Sequence, residues 1–393
     1  MEIVGLVLTG LGYGLVLASL AYGALALWRV ASLGRAAPVP AATLPPITIL
    51  KPVCGLEPGL YENLRSFCDQ DYPEFQILFG LRDEADPARP TLERLVAEFP
   101  ARRAELVVDG RVIGTNLKIS NVANMLPRAR YDILAISDAD CRVGRDYLRG
   151  LAAAFADPGV GAATCLYGAK PARPGLASRL GAMFVNEWFL PSVLVALLTE
   201  PLEYCFGATM AVRRAALEAI GGIEALASYL ADDHMLGRLA AARGHRVALA
   251  RPVVELQVDE PGLAALLRHE LRWGRTMRTV RPLGYAMSFV TDALPLSILL
   301  ALATGLAWPA AILVAAALAL RLLMHRVAAK RLGIEGAGSA LLVPLRDLLN
   351  FAVRAASFLG RGVQWRERGF SVRPDGRMVG RTIERTKGFE VTS

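Results

Sequence analysis

The sequence predicts an α/β domain built on a parallel sheet and fastened to a membrane by apolar helices towards both ends of the chain. Three observations carry this. Between residues 47 and 258, short apolar runs alternate with helical segments, the pattern of strands joined by crossover helices. Two long apolar stretches, residues 3–28 and 286–320, have the length needed to cross a bilayer. The composition agrees: 54% of the 393 residues are hydrophobic and the mean hydropathy is +0.37, an excess concentrated in a few blocks.

Residues 1–32 form the N-terminal membrane helix. Glu2, not a basic segment, precedes its apolar core, which is also too long for a cleaved signal peptide. Arg29 and Arg35 follow, so the positive-inside rule puts the N-terminus outside and the next domain in the cytoplasm. Residues 33–46 contain four prolines and read as a stiff linker. The α/β domain, residues 47–258, opens with strand 47–50, helix 60–68, strand 75–80, helix 91–99 and strand 105–108. Helix 116–126, ended by Pro127, and strand 133–136 follow. Residues 176–198 are apolar but interrupted by Arg179, Asn186, Glu187 and Pro191, which leaves two readings: a core helix, or an apolar wall for a lipid. A helix over 235–243 and strands over 246–249 and 253–258 close the domain.

Residues 259–283 carry an amphipathic helix with Arg268, Arg272, Arg275 and Arg278, of the kind that lies in a membrane interface. Residues 284–325 read as a hairpin of two membrane helices, broken near 305–309. In the remainder, 326–393, residues 340–359 include Arg346, Asp347 and Arg354. They read as an interfacial or re-entrant segment, with a full span as the alternative, and a Pro374-Asp-Gly turn predicts a small β-hairpin in the tail.

The net charge of +8 does not point to nucleic acid, because the basic residues gather beside the apolar blocks, where they suit anionic headgroups. Five cysteines without a Cys-x-x-Cys pair indicate free thiols in a reducing compartment. The chemistry gathers around Asp138 and Asp140, which follow the apolar run 133–136. Two acids one residue apart at a strand's carboxyl end can hold a hard divalent cation bridging substrate phosphates, the arrangement that transfer from a nucleotide-sugar needs. A decoy, Asp69-Gln-Asp71, follows no such strand.

Asp83 ends a strand and suits a base or ribose contact, or is an ordinary turn aspartate. Gly114-Thr-Asn-Leu-Lys118 opens a helix whose N-terminus suits phosphate oxygens, with Lys118 as a point charge, or is a solvated helix start. In Asp232-Asp233, adjacent like charges favour a raised pKa and a general base, with an N-cap role as the other reading, fitting Asp232 better. His269, Arg272 and Trp273 share one helical side, as a diphosphate contact or as a membrane-interface anchor.

The series Lys51-Pro-Val-Cys-Gly55, Gln70-Asp-Tyr-Pro73, Asp83-Glu-Ala-Asp-Pro87, Asn116-Leu-Lys118, Asp138-Ala-Asp140, Asp232-Asp233 and His269-x-x-Arg272-Trp273 resembles the ceramide glucosyltransferase family over nearly the whole chain. The resemblance implies a membrane-bound, inverting glycosyltransferase with a GT-A fold, a UDP-sugar donor, a lipid acceptor and Mg²⁺ or Mn²⁺. It implies Asp233 as catalytic base with Arg272 and Trp273, and Lys51, Asp83, Asn116, Lys118, Asp138, His269 and Arg272 at the donor. Asp138 and Asp140 would hold the metal. His269 departs from the family, which has glutamine or arginine there. Residues 165–167, 178–181 and 186–192 look most like bacterial hopanoid-biosynthesis-associated glycosyltransferases. That implies transfer of N-acetylglucosamine to a bacteriohopanetetrol-type lipid at the bacterial inner membrane, from a multi-pass protein whose catalytic domain faces the cytoplasm. A ceramide glucosyltransferase is the alternative. A non-catalytic membrane-anchored interaction protein is a third reading, opposed by the complete set of acids.

Overall fold

The computed structural model describes residues 2–34, 44–334, 338–360, 362–365, 368–373 and 375–380. Most of the linker read over 33–46 and Pro374 of the tail turn lie outside them. The chain begins with α1 (Glu2–Ala31) and enters β1 (Ile47–Pro52), α2 (Leu60–Cys68), β2 (Phe75–Leu81), α3 (Arg89–Glu98), β3 (Ala104–Val108) and α4 (Leu117–Met125). It continues through β4 (Ile133–Ile136), β5 (Cys141–Arg142), α5 (Tyr147–Ala154), β6 (Val160–Pro171), α6 (Leu176–Phe184) and α7 (Leu190–Thr199). β7 (Met210–Arg213), α8 (Arg214–Ala219), α9 (Asp232–Ala242) and β8 (Arg246–Val258) complete the domain. Then come α10 (Leu263–Val280), α11 (Pro282–Met287), α12 (Ala293–Ala303), α13 (Trp308–Leu332) and α14 (Val343–Ser357), and β9 (Gly362–Trp365), β10 (Arg368–Val372) and β11 (Met378–Gly380).

The main sheet has the order β3-β2-β1-β4-β7-β6-β8-β5. β1 is parallel to β2 and β4, and β2 to β3, as the alternation of strands and helices requires. These strands are apolar runs because both faces are covered. Ile47, Ile49, Ile77 and Phe79 pack under Leu64, Phe67 and Leu92 on one side, while Leu50, Leu78 and Leu134 meet Ile119, Val122 and Met125 of α4 on the other. The expectation of a parallel sheet holds only for this half. β7 is antiparallel to β4 and β6, and β5 to β8, so the sheet is mixed. The reason is local: β7 leaves a loop at the edge where β4 ends, Ile136 lying opposite Met210, and must run the other way. The two late strands are one strand, β8, whose register against β6 slips between Cys165–Ala250 and Leu166–Val253. Pro252 lies in that bulge, where a missing N–H is tolerated.

Among the described residues, three helices are long and apolar enough to cross a membrane: residues 3–31, 176–199 and 308–332. The middle one is α6 and α7 joined by a single π-turn, Val185–Phe189. Of its apolar window 61% is buried inside the protein, against 11% and 17% in the other two, which makes it a core element beneath β6. The hairpin expected over 284–325 is altered in its first arm. At 11 residues α12 rises only about 16 Å, short of the roughly 30 Å of a bilayer core. Pro282–Thr291 and α12 form a pair bent by 67°, a broken span or re-entrant loop. α1, α12 and α13 pack together through Val16, Leu300, Ala301 and Ala310, and through Ala293, Leu294 and Ala317.

α14 is amphipathic with its faces reversed relative to a soluble helix. Arg346, Asp347, Asn350, Arg354 and Ser357 are buried, whereas Leu345, Leu348, Ala352 and Ala355 face outward, flanked by exposed Leu341 and Leu359. These inward groups bind four separate segments, Asn350 sharing Asp292 with Arg354. Arg346 pairs with Glu270 of α10 (2.6 and 2.8 Å), Asp347 with Arg321 of α13 (2.8 Å), Arg354 with Asp292 before α12 (2.8 Å), and Ser357 with Tyr285 of α11 (2.9 Å). At 15 residues, with this polar face turned inward, α14 is not a span. Arg275 and Arg278, expected to face headgroups, instead cap the end of α14: Arg278 donates to the carbonyls of Ser357 and Gly360 (both 2.6 Å) and Arg275 to that of Leu359 (3.0 Å).

The tail is a three-stranded antiparallel sheet, β11-β10-β9, rather than a hairpin. Phe370, Val372 and Met378 pack on Leu230, and Met378 N–H donates to Ser228 (2.8 Å), so the tail closes over the loop that leads into α9.

Removing one partner of a buried ion pair leaves the other unpaired, which costs about 3–5 kcal/mol. Arg346→Ala is therefore expected to lower the thermal unfolding midpoint in detergent markedly. The apolar double variant Arg346→Met/Glu270→Leu is expected to recover most of the loss.

Candidate active site

β1, β2 and β4 end, and α9 begins, at one edge of the sheet, the edge at which ligands bind in open α/β sheets. Lys51, near the end of β1, is fully buried beneath the turn after β4. Its ammonium donates to Ser137 Oγ (3.3 Å) and to the Asp138 carbonyl, and lies 3.6 Å from the centre of the Phe67 ring. Burial lowers its pKa to about 8 against the pull of Cys141, Asp138 and Asp140. Lys51 thus supports the Asp138 turn from below rather than lining its surface.

Above the turn, Lys118 in the first turn of α4 pairs with Asp138 Oδ1 (2.8 Å) and Asp232 Oδ2 (3.1 Å). Burial, the largest single influence, opposes its charge, yet Asp138, Asp232 and Asp233 outweigh it and raise the pKa above the ordinary lysine value. Asn116 caps α4, its Oδ1 accepting from Ile119 N–H (3.1 Å), while its Nδ2 donates to the Tyr229 carbonyl (3.0 Å) and Asp232 Oδ1 (3.2 Å). Both residues therefore tie α4 to the acids. Asp232 is occupied on both oxygens and does not cap α9. Ala231 holds the N-cap position without a side-chain bond, which corrects the capping reading of Asp232.

Asp233 is arranged differently. Its Oδ1 accepts from His234 N–H (2.7 Å), and its Oδ2 faces the gap over Gly207. A Cβ at Gly207 would stand 3.5 Å from Asp233 Oδ2 and 3.3 Å from Asp138 Oδ2, so the missing side chain leaves a space that both carboxylates line. Burial, and then the charge of Asp232, pushes the Asp233 carboxyl up to about 7, with Lys118 opposing. Asp140 is likewise pushed up to about 7 by burial, Asp138 and Glu57. Two carboxylates whose charges oppose each other, Asp140 retaining its proton near neutrality, fit a hard divalent cation that would hold both ionised. Among the described residues no three His, Cys, Asp or Glu side chains gather to hold a metal, so the other ligands would be phosphate oxygens and water.

α10 supplies the opposite wall. His269 Nδ1 is hydrogen-bonded to Glu260 Oε1 (2.6 Å), and its ring meets Trp273 edge-on (4.8 Å). Trp273 packs into an aromatic cluster with Phe184 (5.8 Å) and Phe189 (6.5 Å). Arg272 feels Asp138, Asp233 and Asp232 at longer range; burial lowers its pKa and these acids, after Glu260, oppose the fall. Asp83 is exposed at the rim, where its Oδ1 accepts from Ala85 N–H (3.0 Å) in a turn after β2. Asp86, quoted in the motif Asp83-Glu-Ala-Asp-Pro87 but given no role of its own, binds Gly55 N–H with both oxygens (3.1 and 2.9 Å) and anchors the loop after β1. Gly207 and Glu260 were also missed. Neither belongs to a pattern in the chain, since only the packing brings Gly207 to Asp138 and Asp233 and Glu260 to His269.

A carboxyl whose folded pKa lies above its unfolded value favours the folded state at low pH, and that contribution is lost as pH rises from about 4 through about 7. Asp233→Asn is therefore expected to unfold at a higher temperature than the parent at pH 8, with the difference shrinking as pH falls through about 7 and gone only near pH 4 in the same melting experiment.

The glycosyl transferase family 21 profile matches residues 12–378. Ceramide glucosyltransferase 1 of Caenorhabditis elegans is 26% identical over 211 residues, 54% of this chain and 45% of the relative. Ceramide glucosyltransferase 3 of the same organism is 25% identical over 269 residues, 66% of this chain and 56% of the relative. The ceramide glucosyltransferase of Gibberella zeae is 32% identical over 114 residues, 26% of this chain and 22% of the relative. The chain spans about half the length of the C. elegans relatives, 45% and 56%. Among solved structures, a mannosyltransferase from Pyrobaculum calidifontis in complex with GDP-Man and Mn²⁺ superposes with a TM-score of 0.56 at 20% identity. The match covers 90% of this chain and 99% of that one, which shows a GT-A-like fold. With the family profile matched from residue 12 to residue 378, this chain belongs to glycosyl transferase family 21.

Proposed function

We propose that the chain is a membrane-bound inverting glycosyltransferase that moves a sugar from a UDP-sugar to a lipid hydroxyl at the cytoplasmic face of a membrane. The observation that carries this is the Gly207 gap, lined by a carboxylate poised near neutral pH, Asp233, and by one of the paired acids, Asp138. A general base works best with a pKa near the operating pH, and Asp233 keeps one oxygen turned towards that gap.

In this reading the acceptor oxygen forms a bond to the anomeric carbon while its proton passes to Asp233 Oδ2. The bond from that carbon to the diphosphate oxygen breaks, and the electron pair leaves with UDP, giving inversion in one displacement. Asp138 and Asp140 would hold a Mg²⁺ or Mn²⁺ ion, which when bound neutralises diphosphate charge. Arg272 supplies a fixed guanidinium for the same developing charge, and Trp273 and His269 hold α10 against the aromatic core. Lys118, fixed by Asp138 and Asp232, sets the spacing between the metal acids and the base. Asp83 is at the rim for the nucleoside, and Lys51 and Asn116 act from beneath by positioning Asp138 and Asp232.

For the substrate pair, the stretches 165–167, 178–181 and 186–192 support N-acetylglucosamine and a bacteriohopanetetrol-type hopanoid, at a bacterial inner membrane. The names of the relatives, ceramide glucosyltransferases, favour glucose and ceramide as the second reading. Membrane attachment is supported by α1, α13 and the outward leucines of α14, with Arg29 and Arg35 setting a cytoplasmic orientation.

Asp233→Asn is expected to lower kcat by about 10²–10⁴-fold while UDP binding, followed by calorimetry, stays near the parent value. Full activity in that variant would remove Asp233 from the mechanism. In the parent, kcat/KM is expected to rise with pH and level off above about 7, as Asp233 loses its proton. EDTA is expected to abolish transfer and Mn²⁺ or Mg²⁺ to restore it, with ion affinity weakening below pH 7 because protons compete for Asp140.

A further inference from the structure

The groups assigned above serve the donor and the proton, and the proposed transfer also needs a seat for the acceptor's head beside Asp233. The loop between α7 and β7 passes directly over that residue. Cys205 N–H donates to the Asp233 carbonyl (3.2 Å). Tyr204 is pressed so closely onto α9 that a Cβ at Gly237 would lie 2.4 Å from its Cα. The Tyr204 ring is stacked on His234, the residue after the base, with centroids 5.5 Å apart and planes at 21°. The guanidinium of Arg281 lies 5.8 Å from the centre of the same tyrosine ring and is ion-paired with Glu200, just after α7.

From Arg281 the chain turns towards the membrane helices. α11 follows at once, with Leu283 and Met287 82% and 73% exposed. Thr291 then bonds Trp188 (2.7 Å), and α12 begins two residues later, packed on Leu20 of α1. A continuous row therefore leads from the base to the outer surface of the helices proposed to lie in the bilayer: His234, Tyr204, the Glu200–Arg281 pair, then Leu283 and Met287.

We propose that this row is the acceptor site, and that it selects a neutral, hydroxyl-bearing amphiphile drawn laterally from the bilayer. The inference rests on the reading of Asp233 as base and of a lipid as acceptor. Leu283 and Met287 take the hydrocarbon, since apolar side chains this exposed beside charged groups suit a membrane boundary. Glu200 and Arg281 take the head group, because a hydroxyl donates to a carboxylate and accepts from a guanidinium. The same pair discriminates by charge. Glu200 repels a phosphate head and Arg281 a quaternary ammonium, so either charged class meets one unfavourable partner. The Tyr204–His234 wall then fixes the reacting hydroxyl at Asp233. His234 is kept uncharged by burial and by Arg238 and Arg281, its pKa falling to about 4, so it does not take the proton meant for the carboxylate.

The test uses the full chain in nanodiscs with UDP-glucose or UDP-N-acetylglucosamine, ceramide or bacteriohopanetetrol in the bilayer, and a short-chain water-soluble ceramide as a third acceptor. Three quantities are read: acceptor KM, donor KM, and acceptor-independent release of UDP to water. Glu200→Gln is expected to raise the KM of every accepted lipid about tenfold to 100-fold, the scale of a lost charged hydrogen bond. Donor KM and UDP release are expected to stay within about twofold. Leu283→Ser is expected to raise KM only for the bilayer-borne acceptor and to spare the short-chain one. Both side chains are exposed, so the fold is expected to survive, checked by the melting temperature. If the parent transfers sugar to a lipid but these variants leave acceptor KM unchanged, or move donor KM equally, the site is wrong while the transferase reading stands. A parent that transfers to none of the three acceptors overturns the lipid reading and this site with it.

Discussion

Four acidic side chains from two distant segments converge on one sheet edge, and the ammonium of Lys118 makes this possible. Lys118 bridges Asp138, at the end of β4, and Asp232, at the start of α9. Without that charge, these carboxylates would repel one another in a partly buried space and α9 would be pushed from the sheet. With it, Asp138 and Asp232 are held in place, and the raised pKa values fall on Asp233 and Asp140. The other structural devices of the site serve this bridge. Asn116 fixes Asp232 from the α4 side, Lys51 holds the Asp138 backbone from below, and the C-terminal sheet closes on Ser228 and Leu230 just before the aspartate pair.

A second set of polar bonds joins this domain to the helices beneath it. α14 turns its arginines and acids inward and binds α10, α11, α13 and the segment before α12 at once. Glu187, in the π-turn between α6 and α7, adds His325 and Arg321 of α13. Ion pairs of this kind specify geometry more than they stabilise, since apolar substitutes of equal volume pack as well. Their effect is that α10, which carries Arg272, cannot shift without moving the membrane helices. Each polar lock also leaves an apolar surface on the outer side of α14, so the fixing of α10 and an apolar exterior arise from two faces of the same helix.

What the chain displays in one dimension was read from it well: apolar strands buried on both faces, the acids that follow them, the long apolar helices and the amphipathic pattern of α10. Less legible was the stretch between Arg142 and Gly175, where β6 is built from small residues such as Gly161, Ala162 and Ala163. Such residues show neither the alternation of a half-buried strand nor a branched apolar run, although β6 lies in the sheet interior. The antiparallel entry of β7 also left no mark, because strand direction depends on where the preceding loop lies in space.

The sequence by itself determined which residue types stand at which spacing: a paired acid after a strand, an adjacent acid pair before a helix, a basic aromatic helix, and apolar blocks of bilayer length. These are legible because secondary structure is periodic and its terminal residues are chosen by local backbone chemistry. Only the tertiary structure decided which of two neighbouring aspartates is paired with Lys118 and which turns an oxygen to the gap over Gly207, because that depends on Lys118, Asn116 and Gly207 arriving from elsewhere in the chain. It also decided that the polar face of α14 points inward. Periodicity reveals that a helix has two faces, but only its neighbours determine which one is covered.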